Sequence, residues 1–423
     1  MVSRHYEWTC GGSLPLLQRH SEVKHALLRD YLIEYFLTLV SSPQQDKIRI
    51  TIVDGFCGGG RYINKTGEQA PGSPIVILRA LKEAEARIHV SQKRKKPIQI
   101  DAELICVDED EQAIKHLRWV LEEEGYEEQL RNEQIRLLTG KFSCYAEAVI
   151  RRCAERSKRS GKALFVLDQY GYSEVPLGTL REIFTALGKA EIILTFNVDS
   201  LINFLSDKNL EDFEKKTGYE GALSAADLDD QRKGPHWRHL IQAKLYAGIT
   251  TGSGAKHFTP FFIRPQKGHG DFWLLHLSQH SKARDVMAET HWRHNNHFVH
   301  YGDAGLDMFE VGYVARLDDI DSPQTVFEFD DMAANRSHGA MLTEIPRILS
   351  VTHDGVRFQE FFVEHCNRSP ATRSMIEKAT LELVQDRQIE VISTDGRMRR
   401  VTAAIQDDDI VRVNRQQSFF FKR

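Results

Sequence analysis

Residues 51–60 of the chain read Thr51-Ile52-Val53-Asp54-Gly55-Phe56-Cys57-Gly58-Gly59-Gly60. A β-branched run that ends in an aspartate and a glycine-dense turn is typical of the first strand of a parallel α/β sheet, where a nucleotide-like ligand binds at the carboxyl end. The glycines let the backbone approach the ligand closely, because they have no Cβ. Ile63 stands where the dinucleotide fingerprint needs a third glycine or alanine. The stretch therefore favours S-adenosylmethionine (SAM) over NAD as the ligand.

Alternating strands and helices follow this stretch. One helix is predicted to open within residues 72–80, and another begins near residue 113 and ends at Gly125. The further predicted strands cover residues 102–108, 135–138, 163–167, 190–196, 258–263 and 272–277. This order implies a mostly parallel sheet with helices on both faces, a Rossmann-like seven-stranded methyltransferase sheet. A helical insertion is expected at about 203–250.

The composition indicates a globular, cytoplasmic protein. Its 423 residues are enough for two to three domains, and a hydrophobic content of 41% supports packed cores. No apolar stretch approaches the roughly 20 residues that cross a membrane, and no secretory signal is expected at residues 1–13. The six cysteines include no CxxC pair, which indicates reduced thiols rather than a disulfide or zinc framework.

Two aspartates at predicted strand ends are candidate ligand-binding residues. Asp108 ends the second strand, where one carboxylate suits the two adjacent hydroxyl donors of a ribose. Alternatively, Asp108 only starts an acidic turn and caps the next helix. Asp54 either orients the amino group of the ligand or holds the glycine turn by accepting backbone N–H groups, and the sequence does not separate these roles.

The end of the fourth strand is the candidate site of chemistry. Asp168-Gln169-Tyr170-Gly171 resembles the Asp-Pro-Pro-Tyr-type motif of enzymes that methylate exocyclic amines of adenine. Asp168 and the Gln169 carbonyl would accept hydrogen bonds from the two N–H groups of the amine, and Tyr170 or Tyr172 would stack on the base. Gln169 stands where the motif has its first proline, and the aromatic residue lies one place away from the fourth position of the motif. The alternative is a strand-end turn that uses Asp and Gly for local hydrogen bonds.

The order of these motifs resembles the three-Cys-motif partner family (TcmP). The lysine-bearing N-terminal helix of the family, its Asp-Gly-Phe-x-Gly-x-Gly-x-Tyr loop and its Gly-Ser-Pro match Lys24, residues 54–62 and residues 72–74. An Asp-Pro-Phe-Gly-like strand end and a late strand before a Met…Trp helix match residues 168–172 and 272–292. The match covers roughly residues 15–300. The lysine helix and the Asp54 loop are also similar to those of bacterial ribosomal-RNA adenine-N6 methyltransferases.

The resemblance implies a cofactor, a set of site residues and a partner. The cofactor is SAM, and the partner is a three-Cys-motif protein encoded alongside, in a mobile-element or antiviral defence module. Lys24 would point into the cofactor or substrate cleft, although a lysine on an amphipathic helix more often lies on the solvated face. The implied cofactor-binding residues are Asp54, Phe56, Gly58, Gly60, Tyr62, Ser73 and Asp108. The implied catalytic residues are Lys24, Asp168, Gln169 and Tyr170.

Basic segments are candidate nucleic-acid contacts. The stretch Lys93-Arg94-Lys95-Lys96 is predicted to be an insertion before the second strand that contacts phosphates. Near the C-terminus, Thr394-Asp395-Gly396-Arg397 predicts a hairpin between residues 388–392 and 399–405, with Arg397 and Arg399 on or beside the wing of a winged helix. Winged helices bind DNA or dock proteins, and both readings stay open. The histidines at residues 291, 294, 297 and 300 lack the spacing of a metal site, so no metal is expected.

The sequence therefore predicts three parts and two candidate functions. The parts are a methyltransferase-like domain at residues 1–300, a connecting segment at 301–340 and a winged-helix-like α+β domain at 341–423. The first function is SAM-dependent methylation of an exocyclic amine, adenine N6-like, of a nucleic acid (DNA or RNA). The second is a catalytically inactive adaptor or sensor that binds SAM or a nucleotide.

Overall fold

The structure is a computed structural model and forms two compact units, Met1–Phe298 and Val299–Arg423. It describes residues 6–157, 162–169, 171, 173–197, 205–206, 208–219, 223–224, 237–263, 272–294, 299–301, 305–306, 326–328, 331–352, 354–399 and 402–414. Tyr170 and Tyr172 lie outside the described residues, as does most of the predicted connecting segment. Within the described part of the chain, no helix is long and apolar enough to cross a membrane.

The first unit alternates strands and helices as predicted. Its strands are β1 (Lys47–Asp54), β2 (Arg61–Ile63), β3 (Gln69–Pro71), β4 (Gln99–Asp108), β5 (Ile135–Thr139), β6 (Lys162–Leu167), β7 (Lys189–Asn197), β8 (His257–Ile263) and β9 (Phe272–Ser278). Its helices are α1 (Arg19–Leu39), α2 (Ser73–Ser91), α3 (Glu111–Glu123), α4 (Glu127–Arg131), α5 (Phe142–Arg156), α6 (Leu177–Ala186), α7 (Leu210–Thr217), α8 (Trp237–Gly252) and α9 (Ser281–Arg293).

Seven of these strands form one sheet in the order β5-β4-β1-β6-β7-β9-β8. The pairs from β5 to β7 are parallel, whereas β9 runs antiparallel to both β7 and β8. The prediction of a Rossmann-like methyltransferase sheet with a late strand pair is confirmed, and β4 to β9 agree with the predicted strands to within a few residues. The chain turns from one half of the sheet to the other between β1 and β6. Ligands of doubly wound sheets bind at the carboxyl ends of strands at such a switch point.

The sheet is buried on both faces, which explains its unbroken apolar strands. Ile50, Ile52 and Val53 of β1 are fully buried, as are Phe165 and Leu167 of β6. Helix α1 covers this core with an apolar stripe that includes Leu32 and Phe36. As a consequence, the closely packed sheet fixes the positions of the polar residues at the carboxyl ends of its strands.

The second unit carries a winged helix-turn-helix. Its elements are β10 (Val299–Tyr301), β11 (Val326–Glu328), α10 (Asp331–Ser350), β12 (Val356–Arg357), α11 (Phe358–His365), α12 (Arg373–Gln385), β13 (Ile389–Ile392) and β14 (Ile410–Val413). Strands β12, β14 and β13 form a three-stranded antiparallel sheet in that order. Its separate core contains Met341, Phe358, Phe361, Leu383 and Val411.

Two predicted boundaries in this unit differ from the structure. The predicted turn at residues 394–397 is present, because the Ser393 N–H donates to the Arg397 carbonyl at 2.9 Å and the Arg399 N–H to the Val391 carbonyl at 2.8 Å. Ile392 and Met398 form an isolated bridge, and the strand that pairs with all four residues of β13 is β14 rather than residues 399–405. The wing is therefore longer than the hairpin signal indicates. Helix α10 begins at Asp331 rather than near Met341, because Ala333 and Ser337 are the buried residues of its first turns. Small side chains such as these are easily buried, but they give a weak apolar pattern, so the sequence does not show where the helix begins.

Candidate cofactor and acceptor site

Three carboxylates lie at the carboxyl ends of three adjacent strands. Asp54 is the last residue of β1, Asp108 is the last residue of β4, and Asp168 directly follows β6. Because β4, β1 and β6 are neighbours in the sheet, the fold brings these side chains to one edge, at the switch point. The negative charges of Asp108 and Asp168 both contribute to raising the pKa of Asp54. The edge is therefore an acidic cluster.

Asp54 lies entirely inside the protein. Its Oδ1 accepts a long hydrogen bond of 3.4 Å from the Phe56 N–H, and its buried Oδ2 has no hydrogen-bond partner within the described residues. Burial raises the pKa of Asp54 to about 7, although the Ser73 hydroxyl and the Phe56 N–H act in the opposite direction. The turn-holding role of Asp54 therefore has a geometric basis through Oδ1. Binding of the ligand amino group stays a prediction, for which Oδ2 is the oxygen without a partner among the described residues.

Asp108 holds the glycine loop (residues 55–60) against the end of β4. Its Oδ2 accepts from the Gly58 N–H at 2.9 Å, and its Oδ1 accepts from the Asp110 N–H at 2.8 Å. Burial raises the pKa of Asp108 against these two bonds. The cap of the following helix is Asp110, whose side chain accepts from the Gln112 N–H. Each Asp108 oxygen keeps a lone pair for a ribose hydroxyl.

Lys24 and Asp168 form an ion pair across the edge of the sheet. The Lys24 Nζ donates to both carboxylate oxygens at 2.6 Å, and only 12% of the Lys24 side chain is exposed. The solvated-face reading of Lys24 is therefore wrong. Burial alone would raise the pKa of Asp168, but the Lys24 ammonium and the Thr195 hydroxyl outweigh burial and lower it. With 31% of its side chain exposed, Asp168 remains reachable by a substrate.

Gln169 has a local structural role through its side chain. Its Oε1 accepts from the N–H groups of Glu174 and Val175, both at 3.1 Å, and the residue is 1% exposed. The side chain thus makes local hydrogen bonds after β6, although the strand-end-turn alternative expected such bonds from Asp and Gly. The predicted catalytic group of Gln169 is its backbone carbonyl, and the hydrogen bond from the substrate amine to this carbonyl stays a prediction. The stacking assignment of Tyr170 falls outside the described residues.

The glycine loop adopts backbone conformations that need glycine. Gly58 and Gly60 have φ values of +58° and +79°. A Cβ on Gly60 would lie 2.6 Å from the Leu117 side chain of α3, so the loop packs directly on that helix. From the same helix, the buried His116 donates from Nδ1 to the Gly59 carbonyl at 2.6 Å. Burial lowers the pKa of His116, which keeps this tautomer neutral.

His116 is a site residue that the sequence interpretation missed. Its signal was present, because it interrupts the apolar face formed by Ala113, Leu117 and Val120 of α3. A polar side chain on a buried helical face needs a partner inside the protein. No local pattern identifies that partner as a loop carbonyl.

The other predicted cofactor residues surround the acidic cluster. Tyr62 is 9% exposed, and its ring contacts those of Tyr6, Trp8 and His25 at centroid distances of 5.5, 5.6 and 6.3 Å. The Phe56 ring packs against Phe142 at 6.4 Å. Ser73 begins α2 immediately after Gly72, whose N–H donates to the Gly60 carbonyl at 2.8 Å.

Two neutral histidines flank the Lys24–Asp168 pair. Burial lowers the pKa of both His20 and His25 to about 4, and the nearby Lys24 charge acts in the same direction. Neither histidine therefore competes with Lys24 for Asp168 as a cation at neutral pH. Lys24 pairs with one of the three strand-end carboxyl groups, so the site favours a ligand that carries positive charge near the other two.

The basic stretch before β4 does not belong to this site. Residues 93–96 precede the first residue of β4, whereas Asp108 ends that strand roughly 30 Å away at a rise of about 3.3 Å per residue. The prediction for Arg94 is wrong, because its side chain is 1% exposed and donates to the Ser42 and Gln45 carbonyls. Lys93, Lys95 and Lys96 are exposed, and their role in phosphate binding stays a prediction.

The arginines of the winged helix are mostly paired. Arg399 lies beside the predicted turn and makes a two-pronged ion pair with the fully buried Asp409, and its contact with nucleic acid stays a prediction. Arg373, at the start of α12, binds Asp407 at 2.8 Å and Glu377 at 3.3 Å. Arg397 is 86% exposed on its side chain, with Asp395 at 3.6 Å. The winged helix therefore presents few unpaired cations among its described residues.

The described histidines of the series at residues 291, 294, 297 and 300 have separate surroundings. His294 binds Asp30 of α1 at 2.9 Å, whereas His291 is a buried residue of α9. His297 lies outside the described residues. Within the described ranges, no group of three or more His, Cys, Asp or Glu side chains is arranged to hold a metal ion.

The winged helix-turn-helix of the second unit agrees with a comparison with known protein families. Residues 312–396 are similar to the family described as GMT-like wHTH domain. No curated protein matches the chain in sequence. Similar solved structures include spermidine synthase with the transition-state analogue AdoDATO (10% identity, TM-score 0.31, 65% of each chain covered). They also include TYW2 from P. horikoshii with MeSAdo (10% identity, TM-score 0.26, 65% of this chain and 68% of that chain covered).

A third similar structure is a methyltransferase from Geobacter sulfurreducens (11% identity, TM-score 0.23, 62% of this chain and 91% of that chain covered). The chain spans less than two thirds of the spermidine synthase chain. The assignment of the fold rests on the strand order described above rather than on these likenesses.

Proposed function

We propose that the first unit binds SAM and transfers its methyl group to an exocyclic amine of a nucleic acid, adenine N6-like. The observation that carries this proposal is the set of three strand-end carboxyl groups, Asp54, Asp108 and Asp168, of which Asp168 is paired with the ammonium of Lys24. A ligand with both an ammonium and a sulfonium charge fits such an acidic edge, and its ribose offers two hydroxyl donors to one carboxylate.

The residues present fit the cofactor one by one. The buried Oδ2 of Asp54 lacks a partner within the described residues and suits the amino group of the methionine part. Asp108 suits the ribose, because it is fixed by two backbone N–H groups and retains acceptor capacity. The glycine loop, with Gly58 and Gly60 at positive φ, brings the backbone close to the ligand. When bound, SAM supplies an electrophilic methyl group.

Asp168 is proposed to position the acceptor amine. An aryl amine is a weak nucleophile because its lone pair is delocalised into the ring. A carboxylate that accepts an N–H bond holds the amine in place and stabilises the positive charge that develops on nitrogen. Lys24 fixes the orientation of this carboxylate and keeps it ionised through their 2.6 Å contacts. The amine proton leaves after transfer, towards Asp168 or solvent.

A second candidate is a protein that binds SAM without transferring its methyl group. The observation that favours it is the same ion pair, because Lys24 already occupies both oxygens of Asp168. In this reading the cofactor signals to a partner, which the sequence resemblance names as a three-Cys-motif protein. The paired arginines of the winged helix favour protein docking over DNA binding for the second unit.

Methyl transfer from labelled SAM into separate pools of DNA, RNA and protein tests the proposal. The comparison includes wild type, Asp168→Ala and Glu122→Ala, a control that removes an exposed carboxylate of α3. Label in nucleic acid with wild type and Glu122→Ala, but not with Asp168→Ala, is the expected result. SAM binding without label in any pool, with and without the three-Cys-motif protein, would favour the sensor instead.

A further inference from the structure

We infer that Trp8 is a positioning residue of the cofactor site, which acts by holding the glycine loop in its binding conformation. The inference deepens the proposed function and rests on it. Trp8 belongs to residues 6–17, here termed the N-terminal strap, a segment before α1 that none of the sequence motifs includes.

The indole of Trp8 packs directly on the backbone of the glycine loop. A Cβ placed on Gly59 would lie 2.4 Å from ring atoms of Trp8, and one placed on Gly58 would lie 3.1 Å away. The ring is 7% exposed, and its Nε1–H donates to the Arg61 carbonyl at 3.2 Å. The face of the loop that Trp8 covers therefore admits no side chain, which gives Gly59 a reason to be glycine.

The strap is attached to the chain that leaves the loop. The Leu17 N–H donates to the Ile63 carbonyl at 2.8 Å, and the Ile63 N–H donates to the Pro15 carbonyl at 2.9 Å. Trp8, Leu17, Tyr62 and Ala113 form a small apolar cluster that is separate from the main core. The strap thus joins the β2 strand and the first turn of α3 on either side of the loop.

The loop is held from several directions at once. Trp8 covers Gly58 and Gly59, His116 binds the Gly59 carbonyl, and Asp108 binds the Gly58 N–H. A buried aromatic side chain removes roughly 150–250 Å² of surface from water, so the indole excludes water from the face of the loop that it covers. Pre-organising a loop in its bound conformation increases affinity, because less conformational entropy is lost on binding.

The test is the affinity for SAM, measured by calorimetry on the full chain. Trp8→Ala should raise the Kd by at least about ten-fold, while Trp8→Phe, which keeps an aromatic ring on the loop, should stay within about three-fold of wild type. Phe213→Leu serves as the control, because Phe213 is a buried core residue of α7 that makes none of the loop contacts described above. It should lower the melting temperature and leave the Kd unchanged.

Each outcome decides the inference. A Kd for Trp8→Ala equal to that of wild type would overturn it and leave the proposed function intact. Tighter binding by Trp8→Ala would also overturn it and would show that the indole occupies the space of the cofactor. Failure of the wild-type protein to bind SAM at all would overturn both this inference and the proposed function.

Discussion

The Lys24 Nζ lies 2.6 Å from both carboxylate oxygens of Asp168, although 144 residues separate the two in the chain. The pair joins the N-terminal helix α1 to the end of β6 at the switch point of the sheet. The charge and the orientation of Asp168 therefore depend on Lys24.

Replacing Lys24 should move the acid limb of the activity profile. In the wild type, Lys24 lowers the pKa of Asp168 against its burial, so the carboxylate stays ionised at neutral pH. In Lys24→Met, the Thr195 hydroxyl still opposes burial but the larger effect of the ammonium is lost, so the pKa of Asp168 rises and the carboxylate takes up a proton as the pH falls. We expect a loss of about 100-fold or more in kcat at pH 6 and a smaller loss at pH 8. Lys24→Arg should retain most activity, and a pH-independent loss in Lys24→Met would contradict the assigned role.

Asp54 should make the folded protein less stable as the pH rises towards neutrality. Its pKa is raised from 3.8 to about 7, so between these values the folded state holds a proton that the unfolded chain has released. The free energy of unfolding therefore decreases from about pH 4 to about pH 7 through this group and stays low above it. Thermal unfolding at pH 5 and pH 8 measures the effect. The difference in melting temperature should shrink in Asp54→Asn; an unchanged difference would show that other groups cause it.

SAM binding should strengthen with pH over the range in which Asp54 ionises. A ligand ammonium beside Oδ2 favours the charged carboxylate, so binding displaces the proton held at a pKa of about 7. We expect the affinity to rise about ten-fold between pH 5.5 and pH 7, below the pKa of the ligand amine. Calorimetry in buffers of different ionisation enthalpy counts the released proton. Asp54→Asn should bind more weakly and show no such dependence; proton release that persists in this variant would assign it elsewhere.

Gln169→Ala should impair acceptor binding without affecting the cofactor. The substitution leaves the N–H groups of Glu174 and Val175 without their acceptor, and Val175 is buried. The loop after β6 should loosen, which raises KM for the acceptor several-fold. Gln385→Ala, at an exposed position of α12, is the matched control. A change in the Kd for SAM in Gln169→Ala would instead place this loop in the cofactor site.

Arg94 and Lys95 should behave differently although they are neighbours in one basic stretch. Arg94→Ala removes a buried guanidinium that donates to Ser42 and Gln45 carbonyls, so it should destabilise the protein by about 2–4 kcal/mol. Lys95→Ala changes an exposed side chain and should leave the free energy of unfolding within about 0.5 kcal/mol of wild type. Urea unfolding measures both. Equal effects would contradict the buried position of Arg94.

Periodicity and strand-end chemistry in the sequence determined the sheet, the order of its main elements and the positions of Asp54, Asp108 and Asp168. These features are local, because an apolar run and the glycine turn that ends it are each recognised within a few residues of the sequence. The winged helix was predictable for the same reason. The full extent of its wing was not, because β13 pairs with β14 beyond the predicted turn, and an ion pair between Arg399 and Asp409 holds the segment that connects them.

Only the tertiary structure decided which residues meet. It pairs Lys24 with Asp168, places His116 and Trp8 on the glycine loop, and buries Arg94 far from the site. Contacts between distant residues depend on how helices pack on the sheet, and one-dimensional spacing does not encode that arrangement. The sequence showed which chemical groups the strand ends carry. The packing of α1, α3 and the strap around them decided which groups act together.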